Sequence, residues 1–185
     1  MSAAVLIVLG IPVFILILIW AMYNSMVKLR NQCRESWADV DTELKRRYDL
    51  IPNLVETVRG YAKHEREVLE QVAQLRSAAA ASSGSPASQA VDENKLVLGL
   101  RQLLVVAENY PDLKADRHFL ELQHELSNTE DRIQAARRFY NANVRDYNTR
   151  VEQFPSNLIS GAWGFQCEEF FEVEPIAAAA PQVKL

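Results

Sequence analysis

WADVDTELKRRYDLIPNLVETVRGYAKHE, residues 37–65, decides the fold of this chain. Ahead of its proline, Cys33, Trp37, Val40, Leu44, Tyr48 and Ile51 recur at three- and four-residue steps and so line one helical face. Beyond it, Leu54, Val58, Tyr61, Ala62, Val68, Leu69, Val72 and Leu75 repeat the pattern. Pro52 lacks a backbone donor and crowds the preceding turn, yet suits the first position of a new helix. The stretch therefore reads as a helical hairpin with a tight reversal at Asp49–Pro52, and a kinked continuous helix is the alternative. Each apolar stripe covers a single face and needs a partner. Neither carries reactive side chains.

The rest of the composition agrees with a helical protein. The chain has 185 residues, enough for one domain with a core plus extra segments. Its net charge of -4 gives no electrostatic case for a nucleic-acid partner. Cys33 and Cys167 are too few for a disulfide framework, and Cys33, on the apolar face, reads as a small buried hydrophobe.

Residues Ala3 to Tyr23 carry no charge, and VLIVLGIPVFILILIW is almost wholly large aliphatics. A bilayer crossing takes about 20 such residues, so residues 1–23 are expected to form a transmembrane anchor, with Trp20 and Tyr23 at the interface. A cleaved signal peptide fits less well: no basic residue precedes the run, and no small-residue cleavage site follows it. Lys28, Arg30 and Arg34 come directly after the span. The positive-inside rule then places the N-terminus outside and the body in the cytoplasm.

Residues 24–155 are expected to form an antiparallel up-down bundle of four long helices, at about 24–49, 52–81, 92–109 and 113–154. Pairs Asp41–Lys45 and Glu43–Arg47 have the spacing that supports a solvated face, and Lys45-Arg46-Arg47 reads as part of that face. Ser82 to Gln89 is small, polar and turn-forming, and reads as a flexible loop. Asp92 is the expected cap of the third helix, and Asp112 that of the turn into the fourth. In the fourth, Phe119, Leu122, Leu126, Thr129, Ile133, Ala136, Tyr140, Val144, Tyr147, Val151 and Phe154 form a long narrow stripe that ends at Pro155. Residues 156–185 are an irregular, aromatic-rich segment followed by an alanine–proline tail. Its Trp163, Phe165, Phe170 and Phe171 are expected to dock on the protein's own helices in preference to a partner.

Reactive constellations are missing at this level. His64-Glu65 lacks the second histidine of a zinc protease, because Val68 stands there. Glu121-x-x-His124 matches a di-iron motif once, without its required second copy, and reads as a solvated pair. Asn141, Asn143 and Asn148 near the fourth stripe are either buried register-setting residues or exposed ones. No catalytic, cofactor-binding or metal residue is assigned, and no cofactor is expected.

The stretches LKRRYDLIPNLVETVRGYAKHE (44–65), ENYPDLKAD (108–116), FLELQHELSNTEDRIQAARRFYNANVRDYNTRVEQFPSNLI (119–159) and GFQCEEFFE (164–172) resemble the LemA family of bacterial membrane proteins. With the anchor they cover nearly the whole chain. The resemblance implies one N-terminal transmembrane helix, a cytosolic bundle of four long antiparallel helices and no known enzymatic activity. Some relatives are linked to organising or remodelling internal membranes. The expected function is that of a non-enzymatic, membrane-anchored scaffold. Its partners are the lipid bilayer, through the N-terminal helix, further copies of itself in a homo-oligomer, and an unknown membrane protein. Asp49, Asn53, Arg137, Arg138 and Arg145 are the candidate interaction residues. An adaptor for a separate membrane enzyme such as a protease is the alternative, and a metal-dependent enzyme using Glu121 and His124 a remote one.

Overall fold

A computed structural model describes the backbone of residues 3–173 and the side chains from residue 9 onward. Among the described residues every regular element is a helix: α1 (Ala3–Tyr61), α2 (Arg66–Ala81), α3 (Pro86–Glu108), α4 (Pro111–Ala115), α5 (Arg117–Glu152) and α6 (Ser156–Trp163). The all-α class expected from the periodicities is what the chain adopts. The alanine–proline tail from residue 174 lies outside the described residues.

The reversal expected at Asp49–Pro52 is absent. Helix α1 continues through Pro52 for 59 residues in all, and the chain turns back at Ala62–Glu65. In a helix, the missing proline donor leaves the carbonyl four residues earlier unserved. Here that carbonyl belongs to Tyr48, and the Nε of Arg76 on α2 donates to it at 2.8 Å. The helix therefore passes the proline without an orphaned acceptor. It stops where the apolar stripe lapses, at the five polar residues Lys63–Glu67.

Other boundaries also differ from those expected. Helix α3 begins at Pro86, six residues before Asp92, because Ser85 accepts a hydrogen bond from the Ser88 N–H and Pro86 occupies the first turn. The loop expected over Ser82–Gln89 shrinks accordingly to 82–85. Asp92 lies within α3 and pairs with Lys95 at 2.9 Å. Residues 111–115 form the separate α4, so α5 starts at Arg117, and its cap is Asp116, whose Oδ1 accepts from the Phe119 N–H at 2.9 Å. The segment after Pro155 is helical over α6, which ends on Gly164 at φ 71°, a left-handed conformation that glycine adopts without a Cβ penalty.

The chain divides into two compact units. The first comprises Met1–Trp37 with Phe139–Glu168. Its core is Met26, Cys33, Tyr140, Val144, Tyr147, Ile159 and Phe165, all buried, and Trp37 packs against Tyr140 with the rings tilted by 56° and their centroids 5.2 Å apart. Asn148 ties the end of this unit down. Its side-chain amide donates to the Glu168 carbonyl and accepts from the Glu168 N–H, both at 2.9 Å. Of the three asparagines left open by the sequence, this one has a defined packing role.

The second unit comprises Ala38–Arg138 with Glu169–Leu185. Its core joins Leu44, Ile51, Leu54 and Val58 of α1 to Leu69 and Val72 of α2, and to Leu96, Leu100 and Leu103 of α3, all buried. Gly99 permits the close approach of α2 and α3, since a Cβ there would stand 2.7 Å from Leu75 Cδ1. After Glu169 the extended chain lies on α3. Ser85 Oγ donates to Glu169 at 2.6 Å and Asn94 Nδ2 to the Glu172 carbonyl at 3.2 Å. Phe171 is fully buried there, which is worth about 1.5–3 kcal/mol of transfer free energy. Two of the four aromatics expected to dock, Phe165 and Phe171, are buried on the protein itself, while Trp163 and Phe170 remain exposed.

Candidate functional site

Two features depart from an ordinary helical core. The first is the bare part of α1. Leu9, Ile11, Val13, Phe14, Ile15, Leu16, Ile17, Leu18 and Trp20 are all exposed, Trp20 by 69%. This helix has the length and apolarity to cross a membrane. Lateral packing begins only at its end. Tyr23 meets the rings of Trp163 and Phe165 at 6.0 and 5.5 Å, Met26 is buried, and the Arg30 guanidinium lies 5.1 Å from the Phe165 centroid.

The second feature is a charged cluster inside the second unit. Arg47 on α1 is wholly buried and forms ion pairs with Glu93 of α3 and, at 2.9 Å, with Glu130 of α5. Tyr48 donates its hydroxyl to the same Glu93 carboxylate. All four lie on the apolar faces of their helices and are buried with them. Burial works against the Arg47 charge, but Glu130 and Glu93 outweigh it and hold the guanidinium protonated beyond its ordinary range. Burial, and then the charge of Glu93, push the Tyr48 hydroxyl well above its usual value. Burial likewise raises Glu93, against the pull of Arg47 and the Tyr48 hydrogen bond.

This cluster corrects the expectation of a solvated basic face. Arg47 pairs across helices, and it is Arg46 that lies near Glu43, at 3.7 Å. The Asp41–Lys45 pair forms as expected, at 2.6 Å. Sequence reasoning misses the cluster although a signal exists: Arg47, Glu93 and Glu130 each fall in register with apolar neighbours at three- and four-residue steps. A cluster sealed from solvent is suited to fixing the register of three helices and unsuited to meeting a substrate.

The residues expected to interact are dispersed along two helices. Asp49 and Asn53 are exposed within the C-terminal part of α1, ahead of the turn at Ala62–Glu65. Arg138 and Arg145 are exposed on α5, Arg137 is half-buried, and Arg145 lies 3.8 Å from Asp146. Glu121 pairs with Arg117 at 2.9 Å and His124 with Asn128 at 3.1 Å, both on the wet side of α5. Among the described residues, no group of three His, Cys, Asp or Glu side chains is placed to hold a metal.

The sequence profile of the LemA family matches residues 36–185, a stretch that holds the whole charged cluster. The chain belongs to the LemA family. This LemA-family chain is 25% identical to the magnetosome protein MamQ 2 of Paramagnetospirillum magneticum over 91% of its own length and 71% of that protein's. It is 23% identical to the magnetosome protein MamQ of Magnetospirillum gryphiswaldense over the same shares. It is 26% identical to protein LemA of Metamycoplasma hominis over 74% of this chain and 63% of that one. Together with the bare helix, the family marks this as a membrane-associated helical protein.

Proposed function

We propose that this LemA-family protein is a non-enzymatic scaffold that is anchored in the bacterial inner membrane by α1 and self-associates there. The observation that carries the reading is the bare apolar helix continuing, without a break in its backbone, into a body whose charged cluster is sealed from solvent. The names of the magnetosome relatives are in keeping with work at an internal membrane. The body is read as an antiparallel packing of long helices that faces the cytoplasm, supported by Lys28, Arg30 and Arg34 directly after the span.

Association has a surface available. Val91, Leu98 and Val105 of α3 are each more than half exposed and recur every seven residues, so they share one helical face. Arg138 and Arg145, with Asp49 and Asn53, are the proposed polar contacts. Leu98→Glu combined with Val105→Glu places charge on the stripe without touching the buried core. The expected result is a fall to a smaller species by mass photometry in detergent, with helical content unchanged. An unaltered mass accompanied by loss of a co-purifying protein would instead support the adaptor role.

A further inference from the structure

Two of the exposed aromatics, Phe154 and Trp163, lie within one short segment of the first unit. From Gln153 to Gln166 there is no charged side chain. Helix α6 turns Ser156, Ile159 and Ser160 inward, and Ser160 Oγ donates to the carbonyls of Val151 and Asn157 at 2.7 and 2.9 Å. Exposed along this segment are Phe154 in the turn before α6, Leu158 on the outward side of the helix and Trp163 at its last position, by 74, 64 and 54%. Three large exposed apolar side chains within one uncharged segment of ten residues are not what a water-facing segment carries.

The position of this surface identifies what covers it. Trp163 packs on Tyr23, which follows Trp20 on α1 by less than one helical turn, about 4.5 Å of rise. The Trp163 end of α6 thus lies beside the lower end of the bare span, at the level where aromatic side chains favour a bilayer interface. The next exposed charges along α1, Lys28 and Arg34, are cations suited to lipid phosphates.

We infer that Phe154–Trp163 forms a second membrane contact, an interfacial foot whose Phe154, Leu158 and Trp163 sit in the lipid headgroup layer beside the anchor. This rests on α1 spanning the bilayer. The foot would fix the rotation of α1 about its axis and its depth, which a lone apolar helix cannot do.

The test uses the full chain reconstituted in phosphatidylcholine–phosphatidylglycerol vesicles. Trp20→Phe with Trp37→Phe leaves Trp163 as the reporter, and Trp37→Phe with Trp163→Phe leaves Trp20. Brominated lipid should abolish most of the Trp20 emission and a comparable part of the Trp163 emission, while iodide in the buffer leaves both largely unchanged. Trp163 emission lost to iodide, with Trp20 quenched by lipid, overturns the foot and leaves the anchor intact. Trp163 shielded from both quenchers also overturns it, in favour of a protein cover. Trp20 untouched by brominated lipid overturns the anchor as well. Hydroxyl-radical labelling of the unaltered chain in nanodiscs probes the same surface without substitutions. Phe154 and Trp163 should be spared while the exposed Tyr61 is labelled, and equal labelling of all three would contradict the foot.

Discussion

Arg47 holds two carboxylates together inside a core, and its loss should be costly for that reason. Removing one partner of a buried ion cluster typically costs about 3–5 kcal/mol, whereas replacing all its members with apolar residues is often neutral. Arg47→Met should therefore destabilise the protein strongly in urea titrations, and adding Glu93→Leu, Glu130→Leu and Tyr48→Phe should recover most of the loss. The Tyr48 hydroxyl gives a prediction with a sign. Its ordinary value is 10.0 and the fold raises it, so its stabilising contribution is complete below that pH and declines above it, where the unfolded chain ionises first. Tyr48→Phe should lose less stability than the parent as the pH climbs past 10, by thermal unfolding. A second residue-scale prediction concerns thiols. Burial, then Glu168 and Asp146, push the Cys33 thiol up to about 11, while Cys167 is exposed. At pH 8 a maleimide should modify Cys167 well before Cys33. The inward side of Cys33 is legible from its place in the stripe. That of Arg47 is hidden because a triplet of basic residues looks solvated until its register is checked.

At the scale of elements, the decisive contact is the one that lets α1 pass Pro52. If Arg76 serves the carbonyl that the proline leaves open, the two residues are coupled. Arg76→Met should cost about 1–3 kcal/mol in the parent, the cost of an unpaired buried acceptor. It should cost clearly less alongside Pro52→Ala, which restores the missing N–H. A double-mutant cycle by urea unfolding reads the difference, and equal costs in both backgrounds would detach Arg76 from the proline. The same contact explains which boundaries are legible. Stripes with three- and four-residue spacing identify the helical class, because burial on one face enforces that period, but the stripe from Leu54 to Leu75 runs across the turn at Ala62–Glu65. The proline turn is misplaced because the contact that rescues the helix comes from a residue 24 positions away, and no local pattern contains it. The start of α3 is written in Ser85-Pro86, a cap followed by a first-turn proline, but the small polar residues around it suggest a loop. Asn148 shows the same limit. Its two bonds to the Glu168 backbone depend on where the chain returns, and Asn148→Leu should raise hydrogen exchange at residues 165–168 while the middle of α5 stays protected.

At the scale of the molecule, the bare apolar helix is legible from composition alone, and the role of the exposed apolar segment at Phe154–Trp163 is not. The helix is a run of apolar residues, which needs no tertiary information. The role of Phe154, Leu158 and Trp163 depends on Trp163 meeting Tyr23, which only the fold supplies. The interaction residues expected from the sequence rest partly on a turn at Asp49–Asn53 that does not exist, and the exposed stripe on α3 is the better-supported surface. A scaffold role requires that the anchored protein assemble. The mass and shape of the full-length protein, extracted gently from the membrane and imaged by electron microscopy, report on that directly. A scaffold should appear as an assembly of several copies whose bare helices share one micelle or lipid patch. A monodisperse single copy would contradict the scaffold role.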